Sequence, residues 1–236
     1  MHVPDGFLDA TTSVATGVVA AAAVGVALRK ARTELDDRTA PMAGLVATFV
    51  FAAQMVNFPV GLGTSGHLLG GALAAVLVGP WTGLLAVSVV LIVQALLLAD
   101  GGITALGTNI TLLAVAGVVV GWFVFRGLQK LLPKRIGLVP VLAAIGALVS
   151  VPVAALVFVG LYAVGGTAPV PLAGLTTAML GWHSLIGIGE AVITGLVIAS
   201  VIAVRPDLVY GARPALRERE LEIRTVEAST EKEAAA

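Results

Sequence analysis

The sequence has no cysteine, and only 12% of its 236 residues are charged and 5% aromatic. Without cysteine there can be no disulfides, thiolate metal sites or cysteine nucleophiles, so any chemistry must use oxygen and nitrogen donors. A water-soluble protein carries roughly 25% charged residues, whereas 58% of the residues here are hydrophobic. Basic and acidic residues number 14 each, and this balance gives no indication of a nucleic-acid partner. The composition therefore predicts a protein of the lipid bilayer.

Seven apolar stretches are candidates for membrane-spanning helices, because about 20 apolar residues in a helix cross the hydrocarbon layer. The third is too short to cross alone, and we predict that it forms a re-entrant outer loop together with the glycine-rich segment Pro59–Gly66. The predicted fold is an all-α integral membrane protein with about seven transmembrane helices, a short third helix among them. The stretches are Thr12–Leu28, Pro41–Phe58, His67–Val78, Trp81–Leu98, Ile110–Phe125, Leu138–Tyr162 and Met179–Val204.

All 14 basic residues fall into three clusters, which seven alternating spans place on one side of the membrane. The positive-inside rule makes that side cytoplasmic, so we expect the N-terminus outside and the C-terminus inside the cell membrane. Residues 1–204 then form a single membrane domain, and the charged residues 205–236 a flexible cytoplasmic tail. The clusters are Arg29, Lys30, Arg32 and Arg38; Arg126, Lys130, Lys134 and Arg135; and Arg205, Arg213, Arg217, Arg219, Arg224 and Lys232.

The first two residues are suited to hold a metal ion, provided that the bulk of His2 keeps Met1 in place. The Met1 amine, the His2 backbone nitrogen and the His2 imidazole can close consecutive chelate rings around one ion. A fourth nitrogen completes a square-planar set, which favours Ni²⁺ or Cu²⁺ and leaves Co²⁺ possible. We expect His67, in the predicted outer loop, to be that donor. Since amine and imidazole must lose protons to bind, affinity is expected to fall below about pH 6.5.

Polar side chains within apolar spans are costly, and they commonly face a bundle interior or a cavity. His183 and Glu190 lie seven residues apart on one face of the last span, where the favoured interpretation is a structural role. Five polar residues are expected to surround the metal site or its cavity. They are Gln54, Asn57, Ser65, Asn109 and His183.

Two other functions fit parts of the sequence. The run Gly63-Thr64-Ser65-Gly66 matches the G-x-S-G pattern of rhomboid-like intramembrane serine proteases, in which His183 would be the base for Ser65. A proton-coupled secondary metal transporter would instead use His183 and Glu190 as its relay. No G-x-x-x-x-G-K-[ST] phosphate loop occurs in the sequence, so ATP-driven uptake would need a separate ATPase.

Four segments within residues 1–204 have distinctive residue patterns, namely Met1–Leu8, Phe51–Gly71, Ala99–Asn109 and His183–Glu190. In sequence and in order they resemble the CbiM and NikM proteins, the substrate-capture (S) components of energy-coupling factor importers for cobalt and nickel. The tail has no matching motif.

This resemblance implies a seven-helix protein whose N-terminal segment plugs an outward cavity. It implies that the Met1 amine, the His2 nitrogens and His67 hold Co²⁺ or Ni²⁺ as substrate, with no enzymatic activity or cofactor of the chain itself. The implied partners are a transmembrane coupling (T) subunit, two cytoplasmic ATP-binding cassette subunits and, in many systems, a small accessory membrane subunit. The donor set suits both metals, so cobalt and nickel remain alternatives.

Overall fold

Helices dominate the computed structural model, which describes residues 1–36, 39–61 and 64–221. The helical membrane class is confirmed, whereas the count of seven spans and the re-entrant loop stay predictions. Two further helices are shorter, namely Ala40–Met55 and the eight-residue Gly71–Val78. The described chain has five helical stretches long and apolar enough to cross a membrane: Ala10–Thr33, Pro80–Leu97, Leu106–Leu131, Ile136–Gly165 and Leu172–Val204.

The secondary structure follows the predicted apolar stretches closely. One helical run joins Leu106–Asn109, a π-helical segment at Ile110–Ala116 and Gly117–Leu131. The elements in chain order are α1 (Ala10–Lys30), α2 (Ala40–Met55), β1 (Phe58–Gly61), β2 (Thr64–Gly66), α3 (Gly71–Val78), α4 (Pro80–Leu97), α5 (Leu106–Asn109), α6 (Gly117–Leu131), α7 (Val139–Gly165) and α8 (Leu172–Val204).

Helix α8 turns one face to the bundle and leaves the other exposed and apolar. Its buried positions recur mainly every three or four residues, the spacing of a single helix face. His183 and Glu190 lie on this buried face, so both point into the protein rather than toward lipid. The buried positions are Leu175, Met179, His183, Ile186, Gly187, Glu190, Thr194 and Ile198.

Helix α3 forms the centre of the bundle, and all eight of its residues are buried. A Cβ atom added at Gly71 would lie 2.8 Å from the backbone of Gly117, so glycine permits the close approach of α3 to the start of α6. Gly70, before the helix, has a left-handed backbone with φ of +76°. This turn makes α3 begin at Gly71, four residues after the predicted start at His67.

The segment predicted to dip into the membrane contains an antiparallel hairpin of β1 and β2. Phe58 pairs with Gly66, and Pro59 pairs with Ser65. Residues 62 and 63, between the strands, lie outside the described residues. The hairpin satisfies backbone groups that a glycine-rich loop would otherwise leave to water or neighbouring side chains. It delivers the chain directly to His67.

Part of the predicted flexible tail is folded. Residues 205–221 return against the helix bundle, and Val209 and Ala212 are completely buried. The side-chain amide of Gln129 on α6 donates a hydrogen bond of 2.8 Å to the carbonyl oxygen of Gly211. The folded chain therefore extends past the expected boundary at residue 204, while residues 222–236 lie outside the described part.

Candidate metal centre

The N-terminal segment enters the protein instead of lying on its surface, and Met1 is only 2% exposed. The backbone N–H of Val3 donates to Asn109 Oδ1 over 2.7 Å, and Asn109 Nδ2 donates back to the Val3 carbonyl over 3.1 Å. The same carbonyl accepts the Gly102 N–H at 2.9 Å. Asn109, which the sequence placed near the site, thus fixes the chain one residue after His2.

A second set of contacts holds the segment where it joins α1. Asp9 N–H donates to the Gly165 carbonyl at 2.7 Å, and Thr167 N–H donates to the Phe7 carbonyl at 3.1 Å. The Phe7 ring packs against Tyr162 with ring centres 5.1 Å apart. Anchored at both Val3 and Phe7, the chain has little freedom to withdraw its first two residues.

The loop carrying His67 is held from two helices. Both carboxylate oxygens of Glu190 accept backbone hydrogen bonds, from Leu69 at 2.7 Å and from Gly70 at 3.0 Å. Gln54 on α2 donates its side-chain amide to the Leu69 carbonyl at 2.8 Å. Glu190 and Gln54, both singled out in the sequence, position the loop and so the imidazole beside it.

Two histidines from distant parts of the chain meet face to face. The rings of His2 and His67 are stacked, with centres 4.5 Å apart and planes inclined by 25°. His67 Nδ1 lies 2.8 Å from the Leu68 carbonyl, and because a carbonyl only accepts, Nδ1 carries the proton. The lone pair is then on Nε2, which is buried without a hydrogen-bond partner. A fixed imidazole with a free lone pair is ready to bind a metal.

His183 has the same arrangement. Its Nδ1 donates to the Met179 carbonyl one turn earlier in α8, at 2.8 Å, and its buried Nε2 has no partner. The side chain also leaves a second imidazole lone pair inside the protein.

His2 contacts a carboxylate that the sequence reasoning did not assign to the site. His2 Nδ1 lies 3.0 Å from Asp100 Oδ1, so the proton of the imidazole resides on Nδ1 in this structure. A six-membered chelate ring with the His2 backbone nitrogen requires that same Nδ1. The structure brings Met1, His2 and His67 together, but the His2 ring must turn away from Asp100 before the chelate can close.

Burial lowers the pKa values of the Met1 amine and of both imidazoles. It lowers the pKa of the Met1 amine from 8.0 to about 4, although the charge of Asp100 opposes the shift. Burial also lowers the pKa of His2, against the hydrogen bond to Asp100, and lowers the pKa of His67 well below 6.5. The Asp100 pKa is lowered, chiefly by its hydrogen bond to His2. The folded chain thus holds neutral nitrogens next to one anion.

Gln94 is the other residue that sequence reasoning left out of the site. It is fully buried in α4, and a side-chain hydrogen bond between Gln94 and His2 raises the pKa of His2, against the larger effect of burial. Within the described residues, no group of three or more His, Asp or Glu side chains could hold a metal ion.

The remaining predicted residues are less central. Asn57 is exposed, although a hydrogen bond from it contributes to the lowered pKa of Asp100. Ser65 is half-buried in β2, and in the described part of the chain no hydrogen bond joins it to His183. Gly63, part of the protease-like motif, lies outside the described residues. The geometry gives no support for a serine–histidine pair.

Comparison with known proteins agrees with this architecture. The CbiM model, described as the cobalt uptake substrate-specific transmembrane region, matches residues 2–208. A Haloquadratum walsbyi protein named for metal transport is 39% identical over 212 residues, which are 89% of this chain and 94% of that protein. The fused nickel transport protein NikMN of Rhodobacter capsulatus is 34% identical over 237 residues, 94% of this chain and 68% of its own.

A solved structure has the same fold. The crystal structure of a truncated transition metal transporter superimposes with a TM-score of 0.79 at 32% sequence identity, covering 86% of this chain and 99% of that one. A family match over most of the chain, relatives above 30% identity and a shared fold all lead to one assignment. The chain belongs to the CbiM family of cobalt and nickel transport proteins.

Proposed function

We propose that this chain is the substrate-binding S subunit of an energy-coupling factor importer, and that it captures Ni²⁺ or Co²⁺ with Met1, His2 and His67. One observation carries the proposal: a chain-end amine, whose pKa burial lowers to about 4, lies in the same small site as the stacked rings of His2 and His67, and the buried Nε2 of His67 has no partner. Buried polar atoms normally find partners, so this vacant lone pair points to a ligand.

The four donors are the Met1 amine, the His2 backbone nitrogen, His2 Nδ1 and His67 Nε2. A backbone nitrogen binds a metal only after losing its proton, which places one negative charge beside the ion. Asp100 supplies a second, so the dication is balanced without bringing in a soluble anion. The ion enters as His2 turns and exchanges its contact with Asp100 for the metal.

Transport then depends on other subunits. The chain has no nucleotide-binding loop, and a T subunit with two ATP-binding cassette subunits would couple ATP hydrolysis to release of the ion. A small accessory membrane subunit completes some assemblies of this kind. In this proposal the metal centre faces the outside of the cell membrane, and the basic C-terminal region faces the cytoplasm.

A proton-coupled transporter using His183 and Glu190 is the second candidate, supported by the burial of both side chains in α8. Glu190, however, already accepts two backbone hydrogen bonds. A carboxylate engaged in this way is better suited to holding a loop than to carrying protons. Metal uptake by vesicles containing the purified chain alone, driven by a proton gradient, would favour this candidate over the S-subunit proposal.

The chain-end amine gives the sharpest test. One glycine added before Met1 turns the amine into an amide and displaces the new amine from the chelate. We expect at least about 100-fold weaker nickel binding by titration calorimetry, with unchanged thermal unfolding of the metal-free protein. The control is one glycine added after Ala236. Equal affinity in the two extended proteins would contradict the proposed ligand set.

A further inference from the structure

The end of the bundle opposite the metal centre contains a cavity of about 690 Å³ with a strongly basic lining. Helix α1 and the short turn after it run between the two ends, from Ala10 next to the N-terminal segment to Thr33 at the cavity wall. We call this space the basic cavity. The lining residues used below are Trp122, Arg126, Lys134, Tyr210, Arg213 and Arg217.

Positive charge in the basic cavity is only partly balanced. Four cationic side chains line it, and Glu218 is the one carboxylate among its lining residues in the described chain. Arg213 also pairs with Asp36, outside the lining, at a long 4.0 Å. The Lys134–Glu218 ion pair is long, at 3.9 Å, and both side chains are about half exposed, so it neutralises little. Arg217 makes no ion pair with any described residue. The cavity therefore has excess positive charge that can bind an anion.

Two of the cations are held in place by aromatic rings. The Arg213 guanidinium lies 4.6 Å from the centre of the Tyr210 ring, and that of Arg126 lies 5.6 Å from the centre of the Trp122 ring. Arg126 also donates a hydrogen bond to the side chain of Gln129. Guanidinium groups ordered in advance lose less freedom when they bind a phosphate, and their paired N–H groups match its oxygens.

The position of the basic cavity indicates which class of phosphate-bearing molecule it binds. It lies where α1 and α6 end, and the outer surface of α6 beside it is apolar, with Phe123 71% and Leu131 82% exposed. Tryptophan and tyrosine are enriched at this depth of a membrane, between hydrocarbon and water. Basic pockets between helices at such a boundary commonly take lipid headgroups.

We propose that the basic cavity binds the phosphate of an anionic phospholipid headgroup, with the acyl chains lying along the apolar surface of α6. This inference is independent of the metal ligands. Lipid bound here would anchor the folded residues 205–221 to α6, since both contribute to the cavity wall.

The test uses native mass spectrometry of the full-length protein in a non-ionic detergent, titrated with phosphatidylglycerol. The variant K134Q/R217Q removes two exposed cations of the cavity. The matched control R29Q/R32Q removes two exposed cations of α1 and the turn after it, outside the cavity. We expect roughly 20-fold weaker lipid binding for the cavity variant and a change within about twofold for the control. Equal losses in both variants would overturn the proposal.

Two further titrations separate the sources of phosphate. Diacylglycerol with the same acyl chains lacks the phosphate, and we expect it not to bind the cavity. Inorganic phosphate at millimolar concentration is expected to leave bound phosphatidylglycerol in place, because it lacks the contacts with α6. Displacement by inorganic phosphate, or equal binding of diacylglycerol, would overturn the assignment to an anionic lipid. Nickel affinity, measured at the other end, reports whether K134Q/R217Q is folded.

Discussion

The two ends of the bundle differ in how their buried ionisable side chains are partnered. At the basic end, Glu34 is 3% exposed and accepts backbone hydrogen bonds from Trp81 at 3.2 Å and Thr82 at 2.7 Å, where α4 begins. At the metal end, the buried Nε2 of His67 has no partner. Each unpartnered buried group costs about 1–3 kcal/mol. Satisfied groups support the fold, whereas vacant ones at this cost indicate a site for a ligand.

The largest loss of nickel binding is expected from His67→Ala. The variant removes the one proposed ligand that lies outside the N-terminal segment, and its Nε2 has no other role in the structure. We expect nickel affinity to fall at least about 100-fold in titration calorimetry, with little change in thermal unfolding.

Ser65→Ala is the matched control for His67→Ala, because it changes the same loop region two residues earlier. We expect its nickel affinity to stay within about twofold of the wild-type value, since Ser65 is not among the proposed ligands. Loss of metal binding in both variants would mean that the loop, rather than the imidazole, is what matters.

A smaller loss of nickel binding is expected when the hydrogen bonds that hold the His67 loop are removed. Glu190→Ala leaves the N–H groups of Leu69 and Gly70 without acceptors, and Glu34→Ala does the same to two N–H groups at the basic end. Both variants should lose about 3 kcal/mol of stability in chemical unfolding. Only Glu190→Ala should also weaken nickel binding, by about 10- to 100-fold, because Glu190 positions His67.

Glu190→Gln distinguishes hydrogen bonding from charge at this position. Its amide oxygen can accept one of the two backbone bonds, so we expect stability and nickel affinity between those of the alanine variant and the wild type. If Glu34→Ala weakens nickel binding as much as Glu190→Ala does, general destabilisation accounts for the loss of affinity. The two ends of the bundle would then not differ in this respect.

Asp100→Asn should weaken nickel binding by about tenfold. Asparagine can still accept the hydrogen bond from His2, but it lacks the negative charge that balances the dication. The control Asp207→Asn removes a carboxylate at the basic end, where it pairs with Arg205. Unchanged nickel affinity in Asp100→Asn would show that the carboxylate only orients the ring in the metal-free protein.

A change in pH is expected to alter the stability of the metal-free protein. Because the folded pKa of the Met1 amine is about 4 against 8.0 when exposed, the unfolded chain binds more protons than the folded one between these values. The free energy of unfolding of the metal-free protein should therefore decrease as pH falls from 8 toward 4.

Nickel affinity should follow the folded pKa values. Capture releases the proton of the His2 backbone nitrogen but none from the Met1 amine, whose folded pKa is about 4, so we expect the dissociation constant to rise about tenfold for each pH unit from 8 to 6. A free peptide of residues 1–8 is the control; its amine must also lose a proton below pH 8, so its affinity should fall more steeply with pH. A protein that follows the peptide would contradict burial of the amine.

Much of this molecule is predictable from local sequence pattern. The apolar stretch Thr12–Leu28 lies within α1 (Ala10–Lys30), and the prediction that His2 and His67 lie on the same side of the membrane anticipated their meeting. Apolar length determines where a helix crosses a membrane, so such features need no knowledge of tertiary structure. Both histidines lie close to the ends of predicted spans, so an alternating topology is enough to place them on the same side.

Other features depend on contacts between distant residues. Asp100 meets His2 across 98 residues of sequence, and nothing in the local pattern around either residue predicts that pair. The hairpin of β1 and β2 lacks the alternating apolar pattern of a strand, since Pro59 and the surrounding glycines dominate it. Residues 205–221 look solvated by composition, yet Val209 and Ala212 are buried by the helices they return to.

A crystal structure of the nickel-loaded protein, with anomalous scattering recorded at the nickel edge, tests the ligand set most directly. We predict one strong anomalous peak at about 2 Å from the Met1 amine, the His2 backbone nitrogen, His2 Nδ1 and His67 Nε2, in nearly one plane. A peak coordinated by other side chains, or a Met1 amine remote from the metal, would contradict capture by the chain end.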